Sequence, residues 1–270
     1  MMNKKSEMSF LSHLEVFRWH LIRSFIALLF FSILAFIYKD FVFDQILLGP
    51  IDPYFPTYVT LCKLSRFLGI GDFFCLNEPI FELININMSG QFSAHITTSL
   101  FAGFVFSFPY IFWEFWRFVK PALYSNETKL VRGVVFFTSL LFLFGIFFGY
   151  YVIAPLSVNF LGTYQVSSSV PNQISLMSFI STVVTVCLVN GIIFELPIIV
   201  YFLTKLGILT PTFMRIYRRH AIVLTLILSA IITPPDITSQ ILVSFPLLIL
   251  YEISILLSAR VLYNQSKQGV

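Results

Sequence analysis

Glu195 is the acid in this chain whose surroundings ask most for an explanation. It stands inside an apolar stretch from about Phe179 to Leu203, where the only other polar groups are a few hydroxyls and Asn190. At the depth of a bilayer core a carboxylate costs roughly 3 kcal/mol or more, so an acid there marks a functional site by default. Two uses fit it: a partner for a polar group brought by another helix, or a relay for protons. The plainer alternative is an acid hydrogen-bonded inside a helix bundle, and even that needs a partner, because no cation in the same stretch is close. A second group of acids, Glu7, Glu15, Glu114 and Glu127, lies among many cations. Carboxylates are the groups that best hold paired guanidiniums, through bidentate charge-assisted bonds. Taken alone, each of these acids reads better as a solvated loop charge. Glu127 would then pair with Lys129 or Arg132, worth about 1 kcal/mol or less.

Other chemistry is weakly represented. His13, His20, His95 and His220 have no metal-ligand spacing, and neither G-x-S-x-G nor H-E-x-x-H occurs, so no metal, cofactor or catalytic residue is expected. Gly69-Ile70-Gly71-Asp72 matches a G-x-G-D protease string, but no second aspartate falls in an apolar segment, and the string reads as a turn.

The elements that position these groups are membrane helices. Hydrophobic residues make up 57% of the chain and charged residues 11%, with 33 phenylalanines in 270 positions, a balance that a soluble domain of this size could not keep in water. Apolar segments fall at about 21–38, 95–113, 133–153, 175–203, 221–232 and 237–257. The first continues into Lys39-Asp40-Phe41 without a small-residue cleavage site and so reads as an uncleaved span. Six crossings put both termini on one side. Fourteen cations, from Lys4 and Lys5 through Arg117, Lys120, Lys129 and Arg132 to Arg260 and Lys267, fall on that side, against Lys39, Lys63 and Arg66 on the other. Positive-inside bias makes the termini cytoplasmic, and the net charge of +4 belongs to this asymmetry rather than to nucleic acid. Residues 221–232 are few for a crossing; short spans are favoured over a re-entrant hairpin.

The external loop over 39–93 is the one sizeable segment outside the membrane, broken by Pro50, Pro53, Pro56 and Pro79, with Ile80 to Ile86 reading as a short strand or helix. Cys62 and Cys75 both fall in it and are disulfide candidates, a bond worth ~3 kcal/mol, with two free thiols on a helical hairpin as the alternative. Cys187 reads as packing. Gly145 and Gly149, and the ladder Ser99, Gly103 and Ser107, are small-residue surfaces for close helix approach.

Four segments in order carry a family resemblance: Ser12-His13-Leu14-Glu15 with Arg18; Phe115-Trp116-Arg117-Phe118-Val119-Lys120-Pro121-Ala122-Leu123-Tyr124 with Glu127; Phe194-Glu195-Leu196-Pro197; and Thr233-Pro234-Pro235-Asp236 with Ser239-Gln240. Together they resemble TatC, the multi-spanning receptor subunit of the twin-arginine translocase, over nearly the whole chain. The resemblance implies an all-α membrane protein, a single domain over 1–270 with six transmembrane helices in a glove-shaped bundle in the inner membrane, and no enzymatic activity. It implies binding of the twin-arginine signal peptides of folded cargo at Glu127, Glu15, Arg18, Phe118 and Pro121. It further implies recruitment of single-span subunits of the TatA/TatB type under the protonmotive force, with Glu195 serving the partner helices. Self-association stays open. Pro50, Asp236 and Gln240 match structural positions on the external side. Many members carry two adjacent acids after the His-Leu pair, whereas here Glu15 is followed by Val16, and the first external loop is longer than in compact members. The reading from another class is a proton-coupled solute transporter with Glu195 as its relay. It would call for two related halves and a second polar group at the same depth, and neither is visible in the sequence.

Overall fold

A backbone surrounded by hydrocarbon has to satisfy its own hydrogen bonds, so the apolar runs of this chain have little choice but helix. The computed structural model describes residues 10–69, 75, 81–119, 130–165, 167, 172–233 and 237–267. Helices α1 (Phe10–Ile37), α2 (Pro56–Phe67), α3 (Gly90–Val119), α4 (Leu130–Phe148), α5 (Ala154–Thr163), α6 (Leu176–Ile193), α7 (Leu196–Lys205), α8 (Pro211–Ile216), α9 (Arg218–Ile232) and α10 (Ile237–Lys267) make up most of it. Strands β1 (Leu83–Ile84) and β2 (Ile174–Ser175) pair in parallel, so the segment from Ile80 to Ile86 holds a two-residue strand at Leu83–Ile84, with Ile80 outside the described residues.

Among the described residues, five helical stretches are long and apolar enough to cross a membrane: Leu14–Ile37, Gly90–Val119, Gly133–Thr163, Leu176–Lys205 and Gln240–Asn264. The 15 residues of α9 reach only about 22 Å, short of the ~30 Å of a typical core. The third stretch runs past residue 153, where the sequence suggested an end. Pro155 is accommodated because a π-helical turn, Gly149–Ile153, precedes it, and the proline falls in the first turn of α5, where a missing N–H costs nothing. The fourth stretch is two helices rather than one. Pro197, the second residue of α7, cannot donate back into the preceding turn, and the helix breaks at Phe194 and Glu195.

By its contacts the chain forms two compact units, Met1–Val42 with His95–Leu140, and Phe43–Ala94 with Leu141–Val270. In the first, the small-residue ladder of α3 is used as its composition suggests. A Cβ on Gly103 would collide with the backbone of Ser32 on α1, and Ala35, Val42 and Ala102 are buried together beside them.

In the second unit α10 packs chiefly on α7 and α9. Ile153, Val186, Val243 and Leu247 form one buried cluster, and Val200, Met214 and Ile255 another. Buried Thr204 donates to Ser258 at 2.8 Å, joining α7 to α10. Glu252 on α10 receives Arg218 of α9 at 2.8 Å, with both side chains half exposed. Gly145 and Gly149 bring α4 against α6. A Cβ at Gly145 would lie 2.6 Å from the Asn190 carbonyl oxygen and 2.8 Å from the Gly191 Cα, and one at Gly149 would lie 2.9 Å from the Cys187 Cα. These are backbone atoms that cannot rotate away. Gly145→Ala is therefore expected to destabilise the folded chain by about 1–3 kcal/mol, as overpacking does. Gly133→Ala, with open space around it, should be neutral or slightly stabilising. Thermal unfolding of both variants in one detergent checks this, and equal midpoints would contradict it.

The long connection after α1 is fastened to the third span within the same unit. Pro50 is buried in a 3₁₀ turn, Gly49–Ile51. The Tyr58 hydroxyl lies 2.9 Å from the Pro50 carbonyl and 2.7 Å from that of Pro155, one proton serving two acceptors. Burial holds this phenol above its ordinary range and keeps it a neutral donor. Tyr150 likewise donates to the Ile46 carbonyl, and Phe55 stacks on Tyr151 with ring centroids 5.6 Å apart. Cys62 and Cys75 are joined by a disulfide, whereas Cys187 is free and buried. Gly69, at φ 72°, takes the left-handed conformation that stops α2, so the G-x-G-D string begins as a helix terminator; Ile70, Gly71 and Asp72 lie outside the described residues.

Candidate functional site

The last turns of α3 put Tyr110, Glu114 and Phe118 at i, i+4 and i+8, one above another on a single face, with Arg117 beside them. That face meets α1. Glu114 is 1% exposed, the extreme of burial for an acid, yet it has no shortage of partners. Its Oε2 accepts from Nδ1–H of His20 at 2.5 Å, its Oε1 accepts from Nη1–H of Arg117 at 3.3 Å, and the Tyr110 hydroxyl donates to the same carboxylate. The Arg117 guanidinium also lies 5.6 Å from the Trp113 ring centre. Such a buried acid is tolerable only because it is paired on every side. Phe118 closes the cluster, its ring 4.9 Å from that of Phe17 and 6.3 Å from that of His20.

Residue types alone gave Glu114 no distinction from Glu7 or Glu15. The available signal was an acid inside the aromatic run from Tyr110 to Trp116, together with a histidine inside the first apolar helix; nothing in the order of residues links two positions 94 apart.

Of the residues expected to bind a peptide, Glu15 and Arg18 are exposed on α1 and Phe118 is half-buried in the cluster. Glu127 and Pro121 lie outside the described residues. Helix geometry separates the neighbours at the start of α1. Glu15 points ~140° away from His20, whereas Val16, one turn before His20, lies ~40° from it and is also exposed.

Glu195 sits between the eighteen residues of α6 and the ten of α7. Its backbone carbonyl accepts from the N–H groups of Ile198 and Ile199, both at 3.0 Å, so it opens α7 as a cap residue whose side chain makes no cap bond. The side chain is 9% exposed and lies by the backbone of Phe142 on α4, next to the Gly145–Gly191 approach. Both carboxylate oxygens are buried without a hydrogen-bond partner among the described residues. Asn190, a little over one turn earlier, turns its Nδ2 to the Val186 carbonyl at 2.8 Å. Phe194 packs on Phe144 and Phe148 at 6.0 and 5.6 Å. At the other end of α9, Gln240 donates to the Leu226 carbonyl at 3.3 Å and ties the start of α10 to it, while Asp236 lies outside the described residues. Among the described residues no group of three or more His, Cys, Asp or Glu could hold a metal ion.

The two units thus each hold a buried carboxylate, of opposite character: Glu114 saturated with donors, and Glu195 with only the Phe142 backbone beside it. Comparison with known proteins places them in a family. The family model described as "Sec-independent protein translocase protein (TatC)" matches residues 12–246. A TatC protein of Blattabacterium sp. subsp. Periplaneta americana is 40% identical over 260 residues, covering 96% of this chain and 97% of that one. One from Aquifex aeolicus is 38% identical, covering 91% of this chain and 92% of its own. The crystal structure of a twin arginine translocase receptor, TatC, superposes with a TM-score of 0.70 at 34% identity over 92% of this chain and 99% of the other. A match that runs through α1, α3, the Glu195 break and the start of α10 leaves one assignment: the chain belongs to the TatC family of Sec-independent protein translocase proteins, multi-pass components of the inner membrane rather than enzymes.

Proposed function

We propose that this chain is the receptor subunit of a twin-arginine translocase, binding the Arg-Arg signal peptides of folded proteins at its cytoplasmic face and nucleating the translocation complex under the protonmotive force. The observation that carries the reading is the family match across residues 12–246, a range that includes every segment on which the recognition loop and the intramembrane acid stand. In this reading Glu127 and Glu15 hold the guanidiniums, Phe118 and Pro121 shape the loop beside them, and Arg18 belongs to the same binding surface. Glu195 serves a polar group on single-span subunits of the TatA/TatB type. Both termini are cytoplasmic, α9 crosses as a short sixth span, and residues 1–270 act as one membrane domain. The continuous family match across both compact units and the lysine and arginine asymmetry of the connections support that topology.

A photo-reactive residue placed beside the arginine pair of a signal peptide tests the reading. The expected adducts lie on the N-terminal part of α1 and on residues 118–127. Adducts only on the connection between α1 and α3, which the charge rule puts on the opposite side, would overturn it.

A further inference from the structure

Glu114 is the best-connected acid described in this chain, yet none of the recognition roles proposed above uses it. We propose that Glu114 is a positioning residue for twin-arginine recognition: with His20 and Arg117 it clasps α1 to the end of α3 and fixes which acids can face a bound peptide. The inference rests on the receptor reading above. Its footing is geometric. The carboxylate bridges two helices through His20 at 2.5 Å, and holds its own helix's Arg117 at 3.3 Å. Phe118, which opens the segment leading to Glu127, is held by Phe17 and His20 of α1. Glu15 and Arg18 lie on the same helix within five residues of His20. A rotation of α1 about its axis would therefore break the His20 contact and move Glu15 in the same motion, since residues on one helix turn together.

The clasp also occupies Arg117. A guanidinium already paired with a buried carboxylate and lying by the Trp113 ring is a weaker competitor for the acids that receive the peptide. The groups that bear on Glu114 from the two helices are His20, Tyr110 and Arg117, while Arg23 of α1 lies within electrostatic reach of Tyr110. Loss of the carboxylate would free both α1 and Arg117 at once.

The experiment compares the full chain in detergent with Glu114→Gln, Glu114→Ala and Glu127→Ala, measuring the affinity for an Arg-Arg peptide and its Lys-Lys counterpart at fixed salt. The expected result is that Glu114→Ala lowers the Arg-Arg over Lys-Lys ratio about tenfold or more, the scale of one charged hydrogen bond, and that Glu114→Gln retains part of it. A role in folding alone would lower the yield of binding-competent protein without moving the ratio. An unchanged ratio in Glu114→Gln and in whatever fraction of Glu114→Ala folds, with the ratio lost in Glu127→Ala, would overturn the inference and leave the receptor reading intact. No preference in the unsubstituted chain would overturn both.

Discussion

Glu127→Ala is expected to abolish the discrimination of Arg-Arg from Lys-Lys signal peptides. A guanidinium offers two parallel N–H donors to a carboxylate where an ammonium offers a point charge, so removal of the carboxylate removes the interaction that tells them apart. Truncating one side of a desolvated charged pair costs roughly 2–5 kcal/mol, which is on the order of 30-fold in affinity or more. Glu15→Ala should weaken binding less. Glu15 is exposed and points away from the side of α1 that His20 turns to α3, so it reaches a peptide only along its own flank. Val16 occupies the better angle, and Val16→Glu should strengthen binding by adding an acid one turn before His20. Peptide titration of the three variants at one salt concentration checks all of this, the salt being held because exposed pairs are screened. A Glu127→Ala protein that keeps its Arg-Arg preference would contradict the assignment.

The second large effect is expected at Glu195. Its two carboxylate oxygens are buried beside the Phe142 backbone with no partner among the described residues, whereas Glu114 has three. A buried polar group left so is costly within one chain and becomes favourable when another helix brings a donor. Glu195→Ala should therefore leave signal-peptide binding largely intact while weakening assembly with single-span subunits by about tenfold, on the scale of one charge-assisted bond in a dry site. Crosslinking from α6 or α7 to such a subunit is the measurement. Unchanged crosslinking and transport would contradict this role and mean that the acid serves only the chain itself.

The contrast between these two acids shows what a sequence can reveal about such a protein. Glu195 was legible because its setting is local: twenty-odd apolar residues around one carboxylate are visible without any fold. Glu114 was not, since its burial depends on His20, and a histidine in one helix says nothing about which face of another helix it meets. The apolar runs located the spans, yet the prolines misled at one end. Pro155 reads as a stop, and only the π turn before it shows how the helix continues to Thr163. Pro197 acts the other way, splitting what composition presents as a single span. Gly145 and Gly149 announce close packing without naming the partner, which is the backbone around Gly191. The disulfide between Cys62 and Cys75, which their placement in one loop suggested, and the hydrogen bond of Tyr58 to Pro50, which it did not, show how the long connection is held. Glu127, Pro121 and Asp236 lie outside the described residues, so their roles rest on the family pattern and on experiment.

The account stands most directly on one number, the ratio of affinities of the purified full chain for an Arg-Arg signal peptide and for the same peptide with Lys-Lys. If two guanidiniums are read by fixed carboxylates, the Arg-Arg peptide binds at least about tenfold more tightly, and the preference survives moderate salt because bidentate geometry, unlike bulk charge, is only partly screened. Equal affinities, or a preference that vanishes as salt rises and leaves two identical curves, would contradict it.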